Sequence, residues 1–328
     1  MVRETADAIS LVLDVPADLR DAFDYDAGQF CTFRVFVDGQ QHHRCYSMSS
    51  SPESDDPLQV TIKRVPGGVV SNWMVDALGP GDEVEATCPA GVFGLAAAVG
   101  GGDLVMFSGG SGITPVISVV KSALATTDRT VRVLYANRDR HSIIFAAELD
   151  ELEAASAGRL TVTHHIDVEH GFVDADVVRN LARVVHDADH FVCGPAPFMD
   201  LVEGTLLEVG TAPERIHIER FTAAEMLAPS TDPSPSRITI DLDGRSATAD
   251  HHPGTTILQT ARQMGMAPPF SCESGSCATC MARVVEGTVT MYVNNALTDD
   301  EVAEGWALTC QAIPASAIIR VVYGYEEA

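Results

Sequence analysis

The sequence predicts a multidomain protein built in series. An antiparallel β segment of barrel or sandwich type comes first, then a doubly wound α/β segment with a parallel sheet, then a small α+β segment. Three observations predict this. The first hundred or so residues hold short alternating strands bounded by turn residues. From Asp103 onward, short apolar strands alternate with apolar-periodic helices. A Pro- and Ser-rich stretch, Ala228 to Ser236, then precedes a hairpin, a helix and a cysteine loop. A length of 328 residues suits two or three domains.

In the first segment (1–98), Ile9 to Val15 runs apolar until Pro16, and Gly28 to Val37 reads as a strand stopped by Asp38-Gly39. Leu58 to Val65 alternates as another strand and ends at Pro66-Gly67-Gly68. A helix from about Ser71 to Leu78 is closed by Gly79-Pro80-Gly81. In the second segment (99–228), Leu104 to Ser108, Val131 to Tyr135, Leu160 to Thr163 and His190 to Cys193 are strand-like. Helices are expected after Pro115, over Ile143 to Ala155, and over Val173 to Val185. The linker (229–236) reads as semi-extended. In the last segment (237–328), Arg237 to Leu242 and Ser246 to Asp250 flank Asp243-Gly244 as a hairpin, and a helix runs from about Thr256 to Met264.

The most specific pattern is chemical. Cys272, Cys277 and Cys280 form a C-x4-C-x2-C run, with Cys310 later in the chain. That is the plant-type spacing for four thiolates on a 2Fe–2S cluster. Small neighbours such as Gly275 let backbone N–H groups point at cluster sulfurs. A structural zinc site is the competing reading, although zinc sites usually pair two C-x2-C knuckles. Between a strand and a helix lies Gly109-Gly110-Ser111-Gly112-Ile113-Thr114-Pro115. Glycines there let the backbone approach a pyrophosphate at a helix N-terminus. Pro115 breaks the usual dinucleotide fingerprint and the Walker lysine is missing, so a tight strand–helix turn is the alternative.

Three weaker patterns accompany these. Cys193-Gly194-Pro195 ends a strand of the same sheet, where ligands of open α/β sheets sit, although a buried core cysteine is the bland alternative. Arg44-Cys45-Tyr46-Ser47 offers a phosphate partner, a stacking ring and a hydroxyl, which suits a flavin or an ordinary pleat. Gly67-Gly68-Val69-Val70-Ser71 opens a helix and reads as an anion site or as simple capping.

The net charge of −25 is spread over all three segments. It argues against nucleic acid or an anionic membrane surface as partner and permits a basic docking protein. No apolar stretch reaches spanning length without a charge, Gly or Pro, and Met1 to Leu19 lacks the apolar core of a secretion signal. The eight cysteines show no paired disulfide framework, which reads as a reduced, cytoplasmic protein. Lys63 and Lys121 are the only lysines, a scarcity that reads as genomic base bias. His42, His43, His164, His165, His251 and His252 lack a metal-ligand spacing.

Arg44-Cys45-Tyr46-Ser47, the Gly109 to Pro115 loop and Cys193-Gly194-Pro195 stand in the order found in the ferredoxin–NADP reductase superfamily, which the chain resembles over its whole length. The C-terminal cysteines are similar to those of a plant-type ferredoxin. Together they resemble the single-chain reductase components of bacterial oxygenases, in the branch of the phenylacetyl-CoA epoxidase and 3-ketosteroid 9α-hydroxylase reductases. Ser71-Asn72-Trp73 and Tyr135-Ala136-Asn137-Arg138-Asp139 lean to the latter.

The resemblance implies a flavin β-barrel, a nucleotide domain and a ferredoxin domain of β-grasp type. It implies FAD on Arg44, Cys45, Tyr46 and Ser47, with Gly67, Gly68, Val69, Val70 and Ser71 on its pyrophosphate. It implies NADH (or NADPH) on Gly110, Ser111, Gly112, Thr114, Asn137, Arg138, Cys193, Gly194 and Pro195. Ser47, Cys193, Glu219 and Phe221 are implied at the reacting rings, and Cys272, Cys277, Cys280 and Cys310 on the cluster. The implied activity passes electrons from NADH through FAD and the 2Fe–2S cluster to a terminal oxygenase, such as a steroid or aromatic Rieske oxygenase. A fatty-acid desaturase or cytochrome P450 as acceptor, or a free-standing flavin reductase, remains open. Arg138 and Arg140 also leave NADH against NADPH open, because an arginine at that strand end is able to read a 2′-phosphate. Ala278 departs from the Gly or Ser common after the second cysteine.

Overall fold

The computed structural model describes residues 1–54, 57–99, 101–184, 187–221, 236–251, 255–270, 275, 278–294 and 296–324. The chain divides into two compact units, Met1–Phe221 and Thr222–Ala328. The expected linker lies outside the described residues except for Ser236.

The first unit opens with β1 (Val2–Arg3), β2 (Ala8–Val12), β3 (Phe30–Val37), β4 (Gln40–Ser47), β5 (Gln59–Lys63), α1 (Val69–Ala77) and β6 (Glu85–Ala86). β3 and β4 form an antiparallel hairpin from Phe30↔Ser47 to Val37↔Gln40. Its turn residues Asp38 and Gly39 both lie in the left-handed region, at φ 50 and 76. That is the twist-matched geometry of a primed two-residue turn. The sequence suggests a β-barrel here, and among the described residues no closed barrel is found. Among the described residues the strands form two three-stranded antiparallel sheets, β1-β2-β5 and β4-β3-β6. They meet at an isolated Met48–Val60 bridge and a 2.8 Å bond from the Ser49 N–H to the Gln59 carbonyl. Pairing stops there because Pro52 and Pro57 lack donors and the Ser50 hydroxyl takes the Gln59 N–H at 3.0 Å. Cys31, Phe33 and Val35 alternate into a core shared with Ile62, Val70 and Met74. Each such buried apolar side chain contributes about 1.5–3 kcal/mol. α1 begins at Val69, two residues earlier than the sequence suggested, since the extended Gly68 serves as its N-cap.

The second half of this unit alternates β7 (Leu104–Gly109), α2 (Ile113–Thr126), β8 (Val131–Asn137), α3 (Ala146–Ala155), β9 (Leu160–Ile166), the single turn α4 (Asp167–His170), α5 (Ala175–Val184), β10 (Asp189–Cys193), α6 (Ala196–Glu208) and β11 (Ile216–Glu219). The sheet is wholly parallel in the order β11-β10-β7-β8-β9. This is the doubly wound sheet that the strand–helix alternation predicts. Its order reverses beside β7, which places a crevice between the carboxyl ends of β7 and β10. α2 and α3 pack on one face, and α5 and α6 on the other. α3 starts three residues later than expected because Phe145 takes φ 62 and interrupts the helix.

A polar stripe on α2 fastens the two halves of this unit. Ser118 Oγ donates to the Ser50 carbonyl at 2.6 Å and accepts from the Gly28 N–H at 3.2 Å. Lys121 donates to the Ser49 carbonyl at 3.2 Å and pairs with Glu148. Ser122 Oγ donates to Glu53 at 2.6 Å.

The second unit contains β12 (Ser236–Leu242), β13 (Arg245–His251), α7 (Ile257–Gln263), β14 (Met281–Glu286), β15 (Val289–Met291), α8 (Asp299–Ala303), β16 (Trp306–Leu308), β17 (Ala312–Pro314) and β18 (Ile318–Val322). A mixed sheet runs β13-β12-β18-β14-β16, with β12 and β18 parallel and the other pairs antiparallel. β15 pairs with β17 separately. Thr256 and Gln259 cap α7 reciprocally at 3.3 and 3.0 Å. Ile257 and Ala261 of that helix pack on Ile238, Ile240, Ile319 and Val321.

Gly28 shows what the docking of α2 demands. It lies at φ +96, and a Cβ there would meet the Phe93 carbonyl oxygen at 1.9 Å. Gly28→Ala should destabilise the first unit by at least about 1–3 kcal/mol, read as a lower urea midpoint; an unchanged midpoint would contradict this packing.

Candidate functional site

The carboxyl ends of β7 and β10 approach so closely that only glycine fits between them. A Cβ on Gly112 would lie 2.1 Å from the Cys193 carbonyl oxygen, one on Gly109 2.8 Å from Pro195, and one on Gly194 3.0 Å from the Gly109 nitrogen. Gly110 bends the loop at φ +54. Tyr135 OH holds that bend by donating to the Gly110 carbonyl at 3.0 Å and accepting from the Ile144 N–H at 3.3 Å. Thr114 Oγ1 donates to the Ser111 carbonyl at 3.1 Å. A 3-10 turn over Gly110–Gly112 runs into α2, neither start carries a side-chain cap, and the Ile113 N–H donates to the Gly110 and Ser111 carbonyls, so the N–H groups open to an anion are those of the turn itself. The structure thus brings together Gly110, Ser111, Gly112, Thr114, Cys193, Gly194 and Pro195.

A cavity of about 530 Å³ opens over these strand ends, walled by Asn137, Arg138, Asp167 and Phe198. Lys63 closes its other side, and its ammonium lies 3.6 Å from where a Cβ on Gly110 would be. Sequence reasoning missed Lys63. The available signal was a lone lysine as the last residue of a strand, just before a glycine turn. Asn137 is 2% exposed, and neither its amide nitrogen nor its amide oxygen has a partner. A buried amide left unsatisfied costs free energy, so this side chain fits a ligand that supplies both a donor and an acceptor. A slightly larger cavity, about 580 Å³, lies between Arg3, Lys121 and Glu148. The Lys121–Glu148 pair and the Ser10–Glu4 bond occupy its polar groups, so we place the site at the strand ends.

On the β4 side, Tyr46 packs edge-on to Phe33 at 5.7 Å, and burial pushes its hydroxyl pKa up. Ser47 Oγ is buried without a partner, which fits a flavin polar atom. Cys45 Sγ lies 3.3 Å from Thr32 Oγ1, and Arg44 is exposed. At the start of α1, Gly67 (φ +71) has open space around it, while Gly68, Val69 and Val70 lead into the helix. Ser71 Oγ accepts from the Val65 N–H at 3.0 Å, and Asn72 donates to the Gly68 carbonyl at 2.6 Å. The turn is therefore braced from within, and Ser71 keeps only its own proton to offer. The Cys193 thiol is fully buried, and burial, then neighbouring Glu219, hold its pKa well above that of a free thiol. Cys193 is register partner to Glu219, and Phe221 follows at 36% exposure.

In the second unit, Cys280 and Cys310 are buried among Leu258, Leu297 and Leu308. The Cys310 N–H points to Cys280 Sγ at 3.5 Å. Tyr323 OH donates to Thr309 Oγ1 at 2.8 Å, and Thr309 Oγ1 donates to the Cys280 carbonyl at 2.7 Å. Gly275 (φ +79) tucks under Val293, whose carbonyl oxygen a Cβ would meet at 2.6 Å. Ala278 adopts φ 49, a conformation that costs a non-glycine residue about 1–2 kcal/mol. Cys272 and Cys277 lie outside the described residues. Two buried thiols with a backbone donor on one sulfur fit iron–sulfur ligation.

Three family models match the chain. An oxidoreductase FAD-binding domain covers residues 2–94, an oxidoreductase NAD-binding domain 106–204, and a 2Fe-2S iron-sulfur cluster binding domain 240–315. The third match sets the zinc alternative aside. The ferredoxin reductase component of 3-ketosteroid-9-alpha-monooxygenase from Rhodococcus rhodochrous is 37% identical over 98% of this chain and 95% of its own length. One of the subunits of 1,2-phenylacetyl-CoA epoxidase from Escherichia coli K12 is 31% identical over 97% of this chain and 94% of its own length. Phthalate dioxygenase reductase shares the fold, with a TM-score of 0.57 at 23% identity, over 98% of this chain and 95% of that one.

Two outcomes follow from these hydrogen bonds. Tyr135→Phe should raise the Kd for the nicotinamide nucleotide by about tenfold, one lost bond at a buried carbonyl, with kcat changed far less; an unaltered Kd would mean the Gly110 bend holds itself. Thr309→Val should cost about 1–3 kcal/mol at the Cys280 carbonyl, read as faster iron loss to a chelator, and unchanged iron retention would rule out the tie.

Proposed function

The chain belongs to the family of oxygenase reductase components that join FAD-binding, NAD-binding and 2Fe–2S domains, and from that premise we propose that its acceptor is a terminal oxygenase of the ketosteroid-monooxygenase type. The full-length similarity to the ketosteroid reductase carries this reading. The chain is an oxidoreductase that passes electrons from a nicotinamide nucleotide through FAD and a 2Fe–2S cluster to a terminal oxygenase. Among the described residues no helix is long and apolar enough to cross a membrane. We place the protein in the cytoplasm, where thiol ligands stay reduced.

FAD supplies the conversion of a two-electron hydride into single electrons, and the cluster supplies a one-electron carrier. The chain's own groups bind and orient. In our reading the Gly109–Gly112 turn and Lys63 take the nucleotide pyrophosphate, with Asn137 and Arg138 toward the ribose. Cys193, Gly194 and Pro195 shape the floor beneath the nicotinamide. Tyr46 and Ser47 seat the flavin ring, with Arg44 and Cys45 beside it. Gly67, Gly68, Val69, Val70 and Ser71 face the flavin pyrophosphate. Glu219 and Phe221 border the same ring from β11. Cys272, Cys277, Cys280 and Cys310 hold the cluster.

The finer architecture belongs to the same proposal. We assign residues 1–98 to the flavin domain, 99–228 to the nucleotide domain and 237–328 to the ferredoxin domain. The Met48–Val60 bridge supports one open barrel in the first. The hairpin, the packed α7 and the parallel β12–β18 pair support a β-grasp in the last.

Purified protein should be brown-yellow and bleach on anaerobic addition of reduced nicotinamide nucleotide. Cys280→Ser should keep flavin bleaching but lower electron delivery to a reconstituted ketosteroid-type oxygenase by more than about tenfold. If delivery survives in that variant, the cluster is not on the route. If wild-type protein drives only a desaturase, a cytochrome P450 or free flavin-dependent reduction, the partner assignment fails.

A further inference from the structure

Both chains at the base of the β3–β4 hairpin meet α2 at a single hydroxyl. Ser118 is fully buried. Its Oγ donates to the Ser50 carbonyl at 2.6 Å and accepts from the Gly28 N–H at 3.2 Å. Gly28 precedes β3 and Ser50 follows β4, whose facing ends are Phe30 and Ser47. The Met48 N–H closes the base of the hairpin on the Gln29 carbonyl at 2.9 Å. One hydroxyl thus fastens both chains a few residues from Tyr46 and Ser47. With its proton given and a lone pair taken, it fixes one chain against the other. At full burial a lost bond is not made good by solvent. The approach is close on the Gly28 side, where a Cβ would come within 3.0 Å of Val119 on α2.

The other end of α2 is fixed to the parallel sheet. The Gly110–Gly112 turn runs into it, and a Cβ on Gly112 would lie 2.1 Å from the Cys193 carbonyl oxygen. Val116, Ile117, Val119 and Val120 seat the helix in the core. Ser118 stands six residues on from Gly112, about 9 Å of helix rise. Lys121 and Ser122 lie further along the same stripe. Resting on the reading that the turn takes the nucleotide and β4 seats the flavin, we propose that Ser118 is a positioning residue for hydride transfer. It sets the register of the hairpin against the turn, and so the approach of the two reacting rings. Hydride transfer breaks the nicotinamide C4–H bond, forms the flavin N5–H bond and moves two electrons with the proton. It needs the reacting atoms about 3–3.5 Å apart, and an error of about 1 Å is able to cost about 10²-fold. Ser118 makes none of the contacts assigned to either cofactor, so affinity and rate separate at this residue.

The test uses FAD- and cluster-loaded protein. Ser118→Ala removes the hydroxyl, and Ser118→Cys fills its space with a poor donor. Both should keep FAD content and nucleotide Kd within about twofold of wild type. Anaerobic flavin reduction at saturating reduced nucleotide should slow by about tenfold or more in each. The charge-transfer absorbance of the reduced protein with oxidised nucleotide bound should weaken in parallel, which reports ring approach without turnover. Ser122→Ala is the comparison. Its partner Glu53 is also held by Ser51 at 2.9 Å, so this variant should lower the urea midpoint as Ser118→Ala does but leave rate and absorbance alone. Wild-type rate and absorbance in Ser118→Ala would overturn the proposal. A Ser118→Cys variant that behaves as wild type would also overturn it, since packing would then suffice. So would Ser122→Ala as slow as Ser118→Ala, or a Ser118→Ala variant that loses FAD or nucleotide affinity instead of rate. If reduced nucleotide does not bleach the wild type, the electron route itself is wrong, and this inference falls with it.

Discussion

Gly112 has no room for a side chain, because the Cys193 carbonyl oxygen occupies the place a Cβ would take. The first unit's site depends on that contact. It brings the end of β10 against the loop after β7, so the loop closes into a 3-10 turn over Gly110–Gly112 that runs into α2 with no side-chain cap. The glycines on either side extend the same approach, and Tyr135 fixes the bend at Gly110 from below. The backbone of this turn is therefore open to an anion without an intervening side chain.

α2 has a second task, which is to fasten the antiparallel strands to this sheet. Its first turn belongs to the cradle, while Ser118, Lys121 and Ser122 bind the Ser49 to Glu53 segment that continues from β4. One helix thus ties the nucleotide turn to the strand that carries Tyr46 and Ser47. The two lysines have distinct physical roles. Lys121 is almost wholly buried and paired with Glu148, where breaking the pair would strand a charge. Lys63 faces the cavity. Reading their scarcity as base bias overlooked that both stand at the junction of the two halves.

The second unit solves a different problem, which is to hold thiols rigidly in an apolar shell. The β18 end carries Tyr323, whose hydroxyl orders Thr309 and through it the Cys280 carbonyl. Because a carbonyl only accepts, the hydrogen bonds run in one direction, from Tyr323 to Thr309 to Cys280. Ala278, conspicuous in the sequence for not being Gly or Ser, takes a left-handed conformation two residues before Cys280, so the loop spends some stability on its shape.

The sequence by itself determined the order of the domains, the parallel sheet, the glycine turn that ends β3 and the kind of cluster the last domain binds. Each of those rests on local rules: periodicity, glycine at positive φ, and cysteine spacing. Only the tertiary structure decided what depends on distant segments meeting. It set the first strands in two sheets that meet at the Met48–Val60 bridge, because prolines and serines between those residues end the pairing there. It buried the Cys193 sulfur and turned attention to its carbonyl. It brought Lys63 to Gly110 across 47 positions of sequence, a contact that no spacing rule encodes. It also gave Arg138 and Arg140 carboxylate partners, one of them from beyond β9, while leaving Arg138 on the cavity wall. A residue type announces what charge is present, but only the fold says which neighbour neutralises it.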